Sequence, residues 1–122
     1  MAQAVGLDVV ELDRIRGVLT RHEARFLARH FTPDEVAYCR AQRDPVPSLA
    51  ARFAAKEAFQ KTWPEAHGWR DVRVVREDGA PHLAFARTLA QALSEAGLVA
   101  HLSLSHSRDH AAAVVILERR GA

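Results

Sequence analysis

The chain has 122 residues, 48% of them hydrophobic, and its 17 Lys+Arg against 15 Asp+Glu leave a net charge of +2. That is material for a single globular domain over residues 1–122 with one core. It offers no apolar run long enough to span a bilayer, and one cysteine, Cys39, which excludes an internal disulfide and suits a reducing cytoplasm. With a pI of about 9.2 but so small a net charge, the placing of charge matters more than its total.

The opening MAQAVGLDVV has no basic start and meets Asp8 at once, so a signal peptide is not expected. Ala4 to Val10 reads as a strand with Val5, Leu7 and Val9 on one face. Asp8 interrupts this run. A carboxylate there is costly to bury without a partner, so it either caps the next helix or ligates a metal at the strand's end. Glu11 to Phe31 reads as helix, broken near Gly17 or Thr20, with Val10, Leu12, Ile15, Val18 and Leu19 forming one apolar stripe and Phe26 and Leu27 opening another. Its charges are Arg14, Arg16, Arg21, Arg25 and Arg29 against Asp13 and Glu23, a local excess of three positive charges. Such a face is commonly just solvated. Arginine rather than lysine, however, suits forked contact with carboxylates or phosphates, so an acidic protein or a nucleic acid also fits.

Thr32-Pro33-Asp34-Glu35 is a helix start with Thr as N-cap, Pro at the first position and Glu at the third, and that helix runs to about Arg40. After the loop Arg43 to Ser48, Ser48 is the expected cap of a long helix that Trp63-Pro64 ends. Within it, RFAAKEAFQK (Arg52 to Lys61) sets Glu57 and Lys61 one turn apart, as are Arg52 and Lys56, while Ala51, Ala54, Ala55 and Ala58 form a small-residue packing face. Asp71 to Arg76 and His82 to Phe85 read as strands joined by a turn over Glu77 to Pro81, Ala86 to Ala96 as a helix ended by Gly97. Leu98 to Leu104 alternates, with His101, Ser103 and Ser105 opposite the leucines. Ala111 to Leu117 is wholly apolar and predicts a strand buried on both faces. The order predicts an α+β fold, a small antiparallel sheet packed against a long helix.

Seven histidines invite zinc, but His106 and His110 flank a hairpin turn and no CxxC occurs, so structural zinc is not expected. Ser103, Ser105 and His106 suggest a phosphate contact at a strand end. Asp8 and Glu57 are the two acids in apolar or small-residue settings. Two hard oxygen ligands suit magnesium, which takes the rest of its shell from water and substrate phosphates. Arg52, Lys56 and Lys61 on the same helix could hold those phosphates, so a diphosphate with magnesium is the simplest ligand that uses them all. A phosphohydrolase acting with water, or a basic nucleic-acid-binding module, are the rival readings. The module leaves Asp8 and Glu57 without a role.

GLDVVELDRI (Gly6 to Ile15), RFAAKEAFQK (Arg52 to Lys61), DGAP (Asp78 to Pro81) and HLSLSHSRDHAAAVVI (His101 to Ile116) together resemble the holo-acyl-carrier-protein synthases, small bacterial phosphopantetheinyl transferases. The resemblance covers nearly the whole chain in order. It implies transfer of the phosphopantetheine arm of coenzyme A to a serine of an acidic acyl carrier protein, with magnesium required and adenosine bisphosphate released, in the service of fatty acid and lipid metabolism. It implies Asp8 and Glu57 as magnesium ligands and Lys61 at the diphosphate. It further implies Arg52 and His106 at coenzyme A phosphates, Arg14, Arg21 and Arg25 as the carrier-docking face, and a cytoplasmic homotrimer with sites between subunits. One departure stands out: Thr62-Trp63-Pro64-Glu65 follows Lys61, where many members carry a glycine-rich GTG loop.

Overall fold

Strand β1 (Ala2–Glu11) opens the chain and α1 (Leu12–His30), α2 (Pro33–Arg40) and α3 (Pro45–Thr62) follow it. A single 3-10 turn (Trp69–Asp71) leads into the hairpin β2 (Val72–Val75) and β3 (His82–Phe85), then α4 (Arg87–Glu95), β4 (Leu98–His106) and β5 (His110–Arg119). The computed structural model describes residues 1–76 and 79–121. The expected turn over Glu77 to Pro81 begins on Glu77 and Asp78, outside the described residues, while Gly79 in it has φ 96°, a backbone that glycine adopts without steric cost. The expected α+β architecture is what forms: an antiparallel sheet in the order β1-β5-β4, a separate β2-β3 ribbon, and α3 laid across β1 and β5.

Alternation along the strands decides what faces α3. Val10, Ala111, Ala113, Val115 and Leu117 are buried on the inner face, against Ala50, Ala54, Ala55, Ala58 and Phe59 of the helix. Small side chains on α3 let the helix sit close to the sheet, and the approach is tightest at Gly6. A Cβ there would lie 2.0 Å from the carbonyl oxygen of Ala58. Glycine inside a strand often marks such a contact. The opposite face of β1 carries Val5, Leu7 and Val9, each more than half exposed. β5, expected to be buried on both faces, is buried on the inner one only. Ala112, Val114 and Ile116 on the outer face are half-buried, because within one chain nothing packs over them.

Helix boundaries follow capping chemistry. Thr32 and Glu35 form the expected reciprocal capping box of α2. The N-cap of α3 lies four residues before the expected Ser48: it is Asp44, its Oδ1 accepting from the Val46 N–H at 3.1 Å. Pro45 and Pro47 are tolerated because first-turn N–H groups have no partner inside the helix. α1 does break, at His22 (φ −143°, ψ 41°) rather than at Gly17 or Thr20. The kink turns its second half so that Phe26 packs on Phe53 of α3, ring centroids 5.8 Å apart.

Candidate active site

Asp8 is not a helix cap. The N-cap of α1 is Glu11, and Asp8 lies on the inner face of β1, paired in register with Ala113. Its side chain is 14% exposed, and its Oδ2, buried, has no hydrogen-bond donor among the described residues. Glu57 reaches the same place from α3. Burial, then the negative charge of Asp8, pushes the Glu57 carboxyl above its ordinary range, against the pull of Arg14 and Lys61. Two carboxylates thus meet here, one with an unmet acceptor, an arrangement whose charge a cation would balance. Among the described residues no third His, Cys, Asp or Glu joins them.

Lys61 lies in the last turn of α3. Its Nζ donates to the carbonyl of Leu7 at 2.6 Å and to Asp8 Oδ1 at 3.5 Å. With 54% of its side chain exposed, its contact with Asp8 is worth about 1 kcal/mol at most. The ammonium is thus tethered by a backbone carbonyl and open to an incoming anion. The loop that follows lacks the glycine-rich sequence and holds itself by other means. Thr62 Oγ1 donates to Phe59 O at 2.7 Å, and Asp71 Oδ2 accepts from the Gly68 N–H at 2.7 Å.

The other cations of α3 point elsewhere. Lys56, expected at a phosphate, is buried in an ion pair with Glu35 and is not a free cation. Arg52 is 4% exposed, with its guanidinium 4.3 Å from the centre of the Tyr38 ring. It lines a cavity of about 370 Å³ together with Thr32, Tyr38, Arg73 and Arg76, on the α2 side of the helix. His106 stands at the end of β4, paired with Ala111 and separated from β1 by β5. Successive strand residues face opposite ways, so Ser103 and Ser105 lie on the outer face of the sheet and do not join His106 in one phosphate contact. Within one chain, then, Asp8, Glu57 and Lys61 come together and Arg52 and His106 remain apart from them. Arg14, Arg21 and Arg25 are exposed along α1, and Arg14 lies close enough to act on Glu57. Cys39 is buried and its thiol is pushed up to about 11, chiefly by burial, so it is no nucleophile.

Two contributors escaped the sequence reading: Gly6, which admits α3 to the strand, and the Leu7 carbonyl, which holds Lys61. A glycine two residues before a buried acid was the available signal.

The model of the 4'-phosphopantetheinyl transferase superfamily matches residues 4–115. A holo-[acyl-carrier-protein] synthase of Thermus thermophilus is 53% identical over 120 residues, covering 98% of this chain and 96% of its own. The chain is a member of the holo-[acyl-carrier-protein] synthase family. The fold agrees: the crystal structure of the Neisseria meningitidis holo-[acyl-carrier-protein] synthase superposes with a TM-score of 0.88 at 31% identity, covering 97% of this chain and 99% of that one. The Helicobacter pylori synthase in complex with coenzyme A superposes with a TM-score of 0.80 at 25% identity, over 94% of this chain and all of that one. Among the described residues of this synthase-family chain, no helix is long and apolar enough to cross a membrane.

Proposed function

We propose that this chain, as one domain, transfers the phosphopantetheine arm of coenzyme A to the serine hydroxyl of an apo acyl carrier protein, dependent on magnesium and with release of adenosine bisphosphate. The observation that carries the reading is the Asp8–Glu57 pair, with its buried Oδ2 lacking a donor and Lys61 beside it. Asp8 and Glu57 would hold the magnesium ion, which when bound supplies positive charge to the diphosphate. Lys61 faces the same point and neutralises charge as the bond between the arm's phosphorus and the leaving phosphate breaks. Its tether to the Leu7 carbonyl keeps it there without side-chain reorganisation. Phosphoryl transfer asks little else of a protein than positioning and charge.

Arg14, Arg21 and Arg25 form an exposed cationic rim suited to carboxylates of a carrier protein, where charge chiefly steers encounter. The uncovered apolar face, Val5, Leu7 and Val9 with Val114 and Ile116 beside them, supports assembly of copies into a homotrimer. Such assembly would also give Arg52 and His106, distant from the acid pair in one chain, a route to coenzyme A phosphates at a site between subunits. The reading assigns the enzyme to the cytoplasm.

Incubation with coenzyme A, magnesium and an apo carrier protein, followed by mass spectrometry of the carrier, tests the proposal. One phosphopantetheine added to the carrier is the expected result. Hydrolysis of coenzyme A at the same rate without any carrier would make water, not serine, the acceptor.

A further inference from the structure

Lys56 and Glu35 form an ion pair in which both side chains are 1% exposed. Lys56 Nζ donates to Glu35 Oε1 at 2.8 Å, to the carbonyl of Trp69 at 3.1 Å and to the carbonyl of Val72, which uses all three donors of an ammonium. Glu35 Oε1 also accepts from the Thr32 N–H at 3.1 Å, and Oε2 accepts from the Val74 N–H at 2.9 Å. Burial draws the Lys56 pKa down while the Glu35 carboxylate holds it up. None of these bonds reaches Asp8, Glu57 or Lys61.

Four pieces of chain meet at this pair: the start of α2, the middle of α3, the start of the 3-10 turn, and β2. Glu57 follows Lys56 directly. Segment 63–71 leaves α3 just after Lys61 and is brought back by Lys56 at Trp69 and Val72. A helix held by a buried pair cannot roll without breaking it, and any roll at Lys56 displaces the carboxylate of the next residue. Apolar side chains of similar volume often stabilise a core as well as a buried ion pair does, so stability alone is a weak reason for this one. What the pair adds is a fixed register between elements.

We propose that the Lys56–Glu35 pair is a positioning device for the transfer: it fixes the roll of α3 and the return of segment 63–71, and thereby the aim of Glu57 and Lys61 at Asp8. The proposal rests on the reading of Asp8, Glu57 and Lys61 as the reacting centre.

Lys56→Met alone leaves the Glu35 charge buried without a partner and can cost the fold, so the informative protein is Lys56→Met with Glu35→Gln. It keeps both shapes and buries no uncompensated charge. Thermal melts establish that it folds. Manganese, standing in for magnesium, is titrated in the presence of coenzyme A by electron paramagnetic resonance, and saturation curves are taken for coenzyme A and carrier. The double variant is expected to fold, to bind manganese several-fold more weakly, and to lose on the order of tenfold to a hundredfold in turnover at saturation. The KM for coenzyme A is expected to hold. A folded double variant with the parent's manganese affinity and turnover would make the pair mere scaffolding and overturn the proposal. A raised KM for coenzyme A with turnover intact would overturn it too, by making Lys56 a phosphate contact. Should the double variant not fold, Glu35→Asp alone keeps both charges and shortens the reach to Lys56 by one methylene. It is expected to show the same split at smaller amplitude, and no change in it counts against the proposal. Glu57→Gln measured alongside separates the two failures: if it also binds manganese and turns over normally, the error lies in the reading of the reacting centre.

Discussion

Lys56 and Lys61 stand five residues apart on one helix and lead opposite lives. Lys56 is buried, with all three of its donors taken by Glu35 and two backbone carbonyls. Lys61 is half exposed, tethered at Leu7 and Asp8 and open to solvent. The side of α3 turned toward α2 and the β2 ribbon carries Arg52 and Lys56, the latter held as architecture; the side turned toward β1 carries Glu57 and Lys61, beside Asp8. Membership of a charged motif does not tell the two apart. The neighbouring element decides, by burying one charge with partners and leaving the next at an edge.

The comparison breaks most readily on the chemical side. Glu57→Gln keeps the shape and removes the charge. Activity is expected to fall by at least on the order of 10²-fold, with Asp8→Asn behaving alike, while the fold does not suffer. The Glu57 pKa is raised in the folded protein, so its favourable contribution is complete below the ordinary value of 4.5 and is lost as pH rises through the raised one. Glu57→Gln should therefore melt higher than the parent at neutral pH, with the gap closing in acid. A variant melting lower at neutral pH would show that the carboxylate stabilises the fold.

Lys61→Ala comes next. Turnover is expected to drop on the order of tenfold or more while the KM for carrier stays put, and saturation curves for each substrate report the split. Unchanged turnover would move Lys61 to the architectural side.

Two changes probe the sheet's faces. Gly6→Ala drives a methyl into the Ala58 carbonyl, which should cost about 1–3 kcal/mol by overpacking and lower activity by separating β1 from α3. A denaturant titration with the parent's midpoint would mean the approach is looser than described. Val5→Asp with Val9→Asp places charge on the exposed apolar face. It should leave the monomer folded and abolish assembly, as read by light scattering; a parent chain that is monomeric and fully active would remove the trimer altogether.

The smallest effect is expected on α1. Arg21→Ala with Arg25→Ala should raise the KM for carrier several-fold and flatten its salt dependence, since each exposed pair is worth about 0.2–1 kcal/mol. Arg14 is left in place because it also acts on Glu57. Loss of coenzyme A binding in this variant would assign the basic face to the nucleotide.

Much of this was legible from residues alone. The Thr32–Glu35 capping box, the alternation of β4 and the small face of α3 are local patterns, and they form as read. The pairing of Asp8 with Glu57 followed from two acids in apolar company. What could not be read was set by distant chain. Nothing near Lys56 in sequence announces Glu35, 21 residues away, as its partner. Ser48 looked like a cap because Asp44 lies before two prolines, and the start shifted once the first turn admitted both. Whether the Val5 or the Gly6 side of β1 faces inward depended on where α3 docks, and the acid-bearing face proved to be the buried one. Arg52 and His106 showed no defect in the sequence. The separation of His106 from the acid pair emerges only once β5 is seen between β1 and β4, and that of Arg52 only once its guanidinium is seen over Tyr38 of α2.

The most direct measurement is turnover against magnesium concentration for the parent and Glu57→Gln, with coenzyme A and apo carrier saturating and carrier mass as the readout. The parent should saturate with magnesium and add one phosphopantetheine per carrier. Glu57→Gln should stay far below it, approaching it only in large magnesium excess if at all. Identical curves for the two proteins would contradict the account, because the carboxylate beside Asp8 would then have no part in holding the metal.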